Sequence, residues 1–352
     1  MLKRLFGHDS SSSKERSFER VVPLVATFKR IGNEIVNREN GVDDLDEVDD
    51  RLADEFVSTG NAIKSAILSN DEQASIVSIQ LFGEAKGTEI VSEILKSHCT
   101  ALHPVVVGIC VNLIEKHTVV VKYLSSKDIL ESLVQDLSPL RRRQIRAHSQ
   151  RLLHILAQFP AVHEQFFSSN ASLLWTVFDL LDPSYGFEIK AGTGEILLQI
   201  LSTDVKYSSN SFFLNEFTRR MYLNVDNAKS SSYVSLRIQL ELLLMYLTRR
   251  ENHRMMINYV ESPDQLRQLM ATMKNRTTAK IQNLCLNLLK LFLGNPSKNE
   301  GILKMLRENH ESLILTLKRA ADTRSDNSKD VLKWQRKLAW MADVIAKSIE
   351  DR

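Results

Sequence analysis

Apolar residues recur at helical spacing along most of the chain, and the pattern is clearest from Ser231 to Pro296. The stretch 231–250 is apolar almost all round, which is typical of a helix that is buried on more than one side. A second helix is predicted to begin at Ser262-Pro263, and a third to cover 281–292 before the helix-ending sequence Gly294-Asn295-Pro296. This segment therefore indicates one repeat of three helices.

The apolar sequence near the end of the third predicted helix recurs at a regular interval along the chain. A Leu-Leu pair followed by a mostly apolar triplet begins at Leu152, Leu197, Leu243 and Leu288, and these positions are 45, 46 and 45 residues apart. Periods of about 40–47 residues with two or three helices are typical of armadillo and HEAT repeats. The sequence therefore predicts an all-α, armadillo/HEAT-like helical-repeat solenoid, wound as a right-handed superhelix.

The repeat also predicts the domain organisation. Residues 1–17 are predicted to form a flexible N-terminal tail, and residues 18–350 a single armadillo-like domain, because solenoids grow by adding repeats. The repeats are clearest over 140–320, and a C-terminal capping helix is predicted over 327–350. Within the repeats, Ser262 with Gln265 and Ser297 with Glu300 are predicted to form capping boxes.

Composition and charge narrow the classes of partner. The 46 basic and 43 acidic residues give a net charge of +3, which is too balanced to indicate nucleic acid or an anionic membrane as the main partner. The three cysteines lack paired spacing and are interpreted as reduced core residues of an intracellular protein. We find neither a signal peptide nor a stretch that would insert into a membrane, so the predicted location is cytoplasmic.

Candidate chemistry is sparse. No phosphate-binding loop, dinucleotide fingerprint, nucleophile elbow or zinc-protease motif occurs in the sequence, and the histidines lack metal-ligand spacing. The sequence Gly192-Thr193-Gly194 falls inside a helical run, where small residues permit close helix packing. The prediction is a protein that is not an enzyme and has no catalytic residues, metal site or cofactor.

A binding surface is predicted from equivalent positions of successive repeats. Ten, six and two residues before each Leu-Leu pair lie on one helix face, at i, i+4 and i+8. They hold Arg142, Arg146 and Gln150; then Phe187, Ala191 and Glu195; then Tyr233, Arg237 and Glu241; and finally Thr278, Gln282 and Leu286. In a solenoid these positions lie side by side and would form a continuous strip that mixes arginine, aromatic and acidic residues. Such a mixture is enriched at protein-binding hot spots. The alternative is an ordinary solvated face.

The residues from 230 to 320 resemble a known family, the Mo-25-like scaffolds, also called the calcium-binding protein 39 family. The resemblance is carried by SSSYVSLRIQLELLLMYLTRRENHRMMINYVESPDQLRQLM and KIQNLCLNLLKLFLGNPSK, and it extends more weakly back to Phe187. Characteristic features are Tyr233-Val234 with Arg237, the pair Arg249-Arg250, and Asn295-Pro296.

This resemblance implies a curved, horseshoe-shaped scaffold without catalytic activity. Such a scaffold binds a protein kinase or pseudokinase of the sterile-20/germinal-centre type through its concave face and stabilises the active conformation. It also implies a pocket near the C-terminal end for a Trp-Glu-Phe tail, where Met270 matches the family methionine and Arg267 replaces a lysine. Glu241 replaces a lysine and His253 a phenylalanine of the family, while Glu308 and Ser312 replace two pocket lysines.

The complete prediction is therefore a divergent, kinase-binding scaffold that is a monomer by itself. Its partner-binding residues are predicted to be Phe187, Tyr233, Arg237, Glu241, Arg250, His253, Arg267 and Met270. The alternative is an armadillo-type adaptor for a non-kinase partner, in nuclear transport or as a cytoskeletal or cell-polarity scaffold. In that case the arginines from Arg141 to Arg146 would be the important binding residues instead.

Overall fold

The structure is a computed structural model and describes residues 11–39, 50–83, 85–96, 101–182, 184–203, 211–221, 233–275, 278–322, 336, 339–345 and 347. Every regular element within these residues is a helix. The α-helices are α1 Ser11–Glu39, α2 Asp50–Ser69, α3 Asp71–Phe82, α4 Ala85–Lys96, α5 His103–Lys116, α6 Val121–Leu124, α7 Lys127–Asp136, α8 Arg143–Leu156, α9 Pro160–Asp179, α10 Phe187–Thr203, α11 Ser211–Met221, α12 Tyr233–Leu247, α13 His253–Val260, α14 Pro263–Asn275, α15 Ala279–Gly294, α16 Glu300–Glu308 and α17 His310–Asp322. Two short 3₁₀ helices cover Thr118–Val120 and Arg250–Asn252.

The order in which the helices pack confirms the helical repeat. Helix α2 packs on α5, and α5 packs on α8, while α4 packs on α7. In the later part of the chain α12 packs on α15 in the same way. In each of these pairs two further α-helices separate the partners along the chain. This order is expected when each repeat contributes about three helices and equivalent helices lie side by side.

The helices form two compact units. One comprises the described residues up to Leu180 together with Glu195–Thr203, and the other comprises Leu181–Gly194 with the described residues after 210. The division falls inside α10, so both units contain part of that helix. The single domain predicted for residues 18–350 stays a prediction.

The first unit is built around close contacts between its early helices. The rings of Phe28 on α1 and Phe56 on α2 lie 4.3 Å apart between centroids, and both side chains are buried. Helix α1 begins at Ser11, so residues 11–17, which the sequence analysis assigned to a flexible tail, belong to a helix. The rest of that predicted tail lies outside the described residues.

The second unit is centred on α12. Nine of the fifteen residues of α12 are buried, as the apolar pattern of this stretch predicts. Tyr246 of α12 stacks on Phe217 of α11 with 4.3 Å between ring centroids, and Tyr259 of α13 contacts Phe292 of α15 at 5.2 Å. These aromatic pairs tie α12 and α15 to the shorter helices that precede and follow α12.

The predicted helix start at Pro263 and the two predicted capping boxes have different outcomes. The helix predicted to begin at Ser262-Pro263 is α14, which begins at Pro263. The Ser262 hydroxyl accepts a hydrogen bond from the Gln265 amide at 3.4 Å. The capping box of Ser297 with Glu300 is wrong, because Asn299 caps α16 and accepts a hydrogen bond from the Ile302 amide at 2.9 Å.

Three helices are predicted between Ser231 and Pro296, whereas the described residues of this segment form four α-helices, the additional one being the eight-residue α13. Of the predicted capping helix over 327–350, residues 339–345 are helical, and Met341 and Ile345 are buried. The remaining positions of the apolar stripe predicted for that helix, Val331, Trp334, Leu338 and Ile349, lie outside the described residues.

Candidate protein-binding surface

The candidate surface is built on α10 and α12, which expose an aromatic residue at equivalent positions. Phe187 is the first residue of α10 and Tyr233 the first residue of α12. Their exposed fractions are 69% and 42%, which is high for such large apolar side chains. Arg237 and Glu241 follow Tyr233 at intervals of four on the same face of α12. We call Phe187, Tyr233, Arg237 and Glu241 the α10–α12 strip.

A glycine allows α10 and α12 to approach closely. A Cβ atom placed on Gly194 would overlap Cδ1 of Ile238 and lie 2.6 Å from its Cγ1. Ser235, near the start of α12, is buried, and its hydroxyl donates a hydrogen bond to the Leu181 carbonyl at 2.9 Å. The predicted role of the small residues around Gly194 in close helix packing is thus confirmed for Gly194 itself.

A charged cluster occupies the middle of the strip. The Oε1 atom of Glu241 lies 2.8 Å from Lys280 Nζ, and its Oε2 atom lies 3.9 Å from Arg237 Nε. Lys280 belongs to α15, so Glu241 joins two neighbouring helices of the repeat. The sequence count did not select Lys280, because it lies two residues beyond Thr278 and therefore on another side of its helix.

The strip does not continue onto α15 as predicted. Leu286, which was expected to extend the strip, is buried within the repeat core, and only Thr278 is fully exposed at the equivalent positions. In the first unit, Arg146 is used locally, since its guanidinium donates to the Arg141 carbonyl at 2.7 Å. Of the positions that the count selected, the exposed aromatic residues are therefore the first residues of α10 and α12.

Arg250 and His253 lie just beyond the end of α12, and both are exposed. Asn252 fixes this turn, because its buried side-chain amide donates to the Tyr246 carbonyl at 3.1 Å. The guanidinium of Arg249 lies 4.7 Å from the centroid of the Tyr246 ring. The turn that carries Arg250 and His253 is thus attached to the C-terminal end of α12.

His253 also lines a cavity of about 800 Å³ between α12, α13 and α15. Its wall is mainly apolar, with Leu244, Met256, Ile257, Val260 and Leu291 among the lining residues. Leu244 follows Arg237 and Glu241 on one face of α12, since the three residues are spaced by four and three. The cavity therefore continues the strip toward the end of α12.

Arg267 and Met270 lie on α14, apart from these residues in the sequence. Arg267 is exposed and its Nη1 atom lies 2.6 Å from Asp264 Oδ1, whereas Met270 is half-buried. Neither residue lines the cavity described above. The two residues that the family resemblance assigned to a tail pocket thus do not line the cavity that His253 lines.

A buried Ser-His-Asp cluster in the first unit has the residue types of a catalytic triad but a different arrangement. Ser149 donates its hydroxyl proton to Asp136 Oδ2 at 2.7 Å, and His103 Nε2 lies 3.2 Å from the same oxygen. All three side chains are buried, with His103 and Ser149 at 0% exposure. Ser149 Oγ also lies 3.1 Å from His103 Nε2, so a single ring nitrogen faces both the serine and the carboxylate, whereas a catalytic triad uses one nitrogen for each. This arrangement and its burial between helices indicate a structural cluster.

The described residues also bear on metal binding, on membrane spanning and on the state of two cysteines. No group of three or more metal-ligating side chains is found there, and none of the described helices is long and apolar enough to cross a membrane. Cys110 and Cys285 are buried, and burial raises the pKa of both thiols to about 12. Their predicted place in the core is confirmed, while Cys99 lies outside the described residues.

Comparisons with known proteins agree with the resemblance seen in the sequence. The family model described as Mo25-like matches residues 51–332. A Mo25-like protein of Schizosaccharomyces pombe is 26% identical over 180 residues, which cover 51% of this chain and 53% of that protein. Protein HYM1 of Saccharomyces cerevisiae is 27% identical over 147 residues, covering 41% of this chain and 36% of that protein.

Human calcium-binding protein 39-like is 28% identical over 101 residues, which cover 29% of this chain and 30% of that protein. The chain thus spans about half the length, or less, of these curated relatives. The family model nevertheless covers most of the helices that form both compact units. The chain therefore belongs to the Mo25-like family, as a divergent member with a helical-repeat fold.

Proposed function

We propose that this protein is a non-catalytic scaffold that binds a protein kinase or pseudokinase of the sterile-20/germinal-centre type. The observation that carries the proposal is the α10–α12 strip, where two exposed aromatic residues accompany a partly buried arginine. Aromatic residues and arginine are the residue types that dominate protein-binding hot spots. Membership of the Mo25-like family supports the scaffold role.

In this proposal Phe187 and Tyr233 are the apolar anchors, and Arg237 and Arg250 donate hydrogen bonds to the partner. Binding energy is used to select a conformer: a scaffold that binds the active-like conformation of a kinase more tightly raises the population of that conformation. A coupling of about 1–3 kcal/mol would enrich it roughly 5- to 150-fold. The scaffold is proposed to act as a monomer in the cytoplasm.

The test is the affinity of the full chain for a purified sterile-20-type kinase domain. Arg237→Ala is expected to weaken binding by about 1–3 kcal/mol, because truncation at a hot spot leaves partner groups without their contact. Arg151→Ala, at an exposed arginine on α8, is the matched control and should leave the affinity unchanged. Circular dichroism would verify that both variants are folded.

Two results would refute the proposal. One is the absence of binding between the wild-type chain and any kinase domain of this type. The other is an Arg237→Ala variant that binds as tightly as the wild type, which would remove the α10–α12 strip from the interface. If the wild-type chain binds the kinase domain but does not raise its activity, only the population-shift mechanism is refuted.

The alternative function, an adaptor for a non-kinase partner, is favoured by one loop of the first unit. Leu140 is 93% exposed, and the arginines Arg141, Arg142 and Arg143 follow it directly. The loop is held in shape because Arg146 donates hydrogen bonds to two of its carbonyls, at 2.7 and 3.5 Å. A partner that is lost with Leu140→Ser and retained with Arg237→Ala would support this second function.

A further inference from the structure

The charged cluster at the α10–α12 strip consists of Glu241 and the two cations that it contacts, Arg237 and Lys280. Glu241 uses a different carboxylate oxygen for each of its two cations, Oε1 for Lys280 and Oε2 for Arg237. Its side chain is 18% exposed, compared with 27% for Arg237 and 55% for Lys280. The carboxylate is therefore the most buried group of the three and is enclosed by the two cations.

We propose that Glu241 and Lys280 are positioning residues that hold the Arg237 guanidinium in the orientation that an acidic group of the partner protein recognises. This inference rests on the proposed function, because it assigns a partner to the same strip. The side chains of Lys280 and Arg237 are 55% and 27% exposed, so two cations are accessible at this point of the strip, and an acidic group on the partner is complementary to them. Lys280 thus becomes part of the binding machinery although it lies on the neighbouring helix.

The physical basis is the entropy of the arginine side chain. A long side chain that is mobile in the free protein must be immobilised on binding, and this lowers the affinity. Glu241 lies one helical turn from Arg237 and forms an ion pair with it at 3.9 Å, beyond hydrogen-bond distance, so it attracts the guanidinium toward one orientation before the partner arrives, provided that the carboxylate itself is fixed. Lys280 fixes it from α15 at 2.8 Å, across the helix interface.

A direct contact between Glu241 and the partner is the competing explanation, and the two explanations predict different coupling. If Glu241 acts through Arg237, then removing its charge matters only while Arg237 is present. If Glu241 touches the partner itself, Glu241→Gln should still weaken binding when Arg237 has already been replaced by alanine. A double-mutant cycle with Arg237→Ala and Glu241→Gln therefore separates them.

The cycle would be measured with the full chain and a purified sterile-20-type kinase domain. Glu241→Gln is expected to weaken binding about 3- to 10-fold in the wild-type background and less than about 1.5-fold in the Arg237→Ala background. Lys280→Met should give a smaller loss with the same dependence on Arg237. The matched control is Lys304→Met, which removes a lysine paired with Glu308 at 3.9 Å on α16 and should have no effect.

A second measurement needs no partner. In the free protein, ¹⁵N relaxation of the Arg237 Nε–Hε group should report a restrained side chain, and Glu241→Gln and Lys280→Met should each make it more mobile. Unchanged mobility in both variants would overturn the proposal, as would additive losses in the binding cycle. If Arg237→Ala itself leaves kinase binding unchanged, the proposed function fails first, and the acidic-partner role of the cluster fails with it.

Discussion

The close approach of α10 and α12 makes Gly194→Ala the most informative test of the packing beneath the candidate surface. Ile238, the side chain opposite Gly194, is fully buried and β-branched, so it has little freedom to rotate away from an added methyl group. Two of its atoms, Cδ1 and Cγ1, would lie closer than 3.0 Å to the new carbon. The helices would therefore have to separate, or Ile238 would have to leave its preferred rotamer.

The expected cost follows from two opposing effects. Overpacking a buried site costs about 1–3 kcal/mol, whereas replacing glycine by alanine inside a helix contributes about 0.5–1 kcal/mol of stability. Because two atoms of a stiff side chain are affected, the overpacking effect should dominate, and Gly194→Ala should lose roughly 1–2 kcal/mol. For a unit of this size that loss corresponds to a fall of roughly 3–6 °C in Tm.

The assay is urea denaturation followed by circular dichroism, combined with hydrogen exchange of peptides from α12. Hydrogen exchange is needed because the chain has two compact units, and the loss must be assigned to the one that contains α12. Gly294→Ala is the control: no atom lies within 4 Å of its added Cβ, so its stability should be unchanged or higher.

Ile238→Val provides the corresponding rescue. By itself it should cost about 0.5–1.5 kcal/mol, because it removes one buried methyl group. Combined with Gly194→Ala it should cost less than the sum of the two single losses, since the removed Cδ1 atom is the one that overlaps the added carbon. A Gly194→Ala variant as stable as the wild type, or strictly additive losses, would show that the helices do not approach this closely.

Two further predictions concern the polar groups. Ser149→Ala should destabilise the first unit by about 1–3 kcal/mol, because the buried Asp136 carboxylate loses one hydrogen bond, and Asp136→Ala should cost more, because Ser149 and His103 both lose a buried partner; urea denaturation would measure both. A hydrogen bond from Arg219 lowers the pKa of Glu216 from 4.5 to about 2, so its stabilising effect is present above pH 4.5 and is lost as the pH falls toward 2. The stability difference between the wild type and Glu216→Gln should therefore vanish over that range in thermal melts, and a difference that persists at pH 2 would contradict this.

The repeat was predictable from the sequence because it depends on short-range periodicity. The Leu-Leu pairs mark the buried ends of α8, α10, α12 and α15, where the apolar stripe of each helix meets its neighbours. Such a stripe follows from helix geometry alone. The same reasoning identified Phe187 and Tyr233, which begin two equivalent helices and are exposed as predicted.

Local polar chemistry was harder to predict, because several residues competed for the same role. Ser297 and Glu300 have the spacing of a capping box, but Asn299 is one of the strongest capping residues and lies directly before α16. Its side chain also donates to the Glu261 carbonyl at 2.6 Å, which fixes the loop between two helices. That second bond depends on the tertiary fold, so the sequence pattern could not distinguish the two caps.

Lys280 shows where counting along each helix fails for the candidate surface. The count selects positions that share one face, and it treats every helix as if it stood alone. Lys280 lies two residues from the selected Thr278, so it points sideways, toward α12, and meets Glu241 there at 2.8 Å. Only the packing offset between α12 and α15 brings the two residues together. A specific charge pair between repeats is thus a property of the interface between helices, and the sequence predicts only the helices that form it.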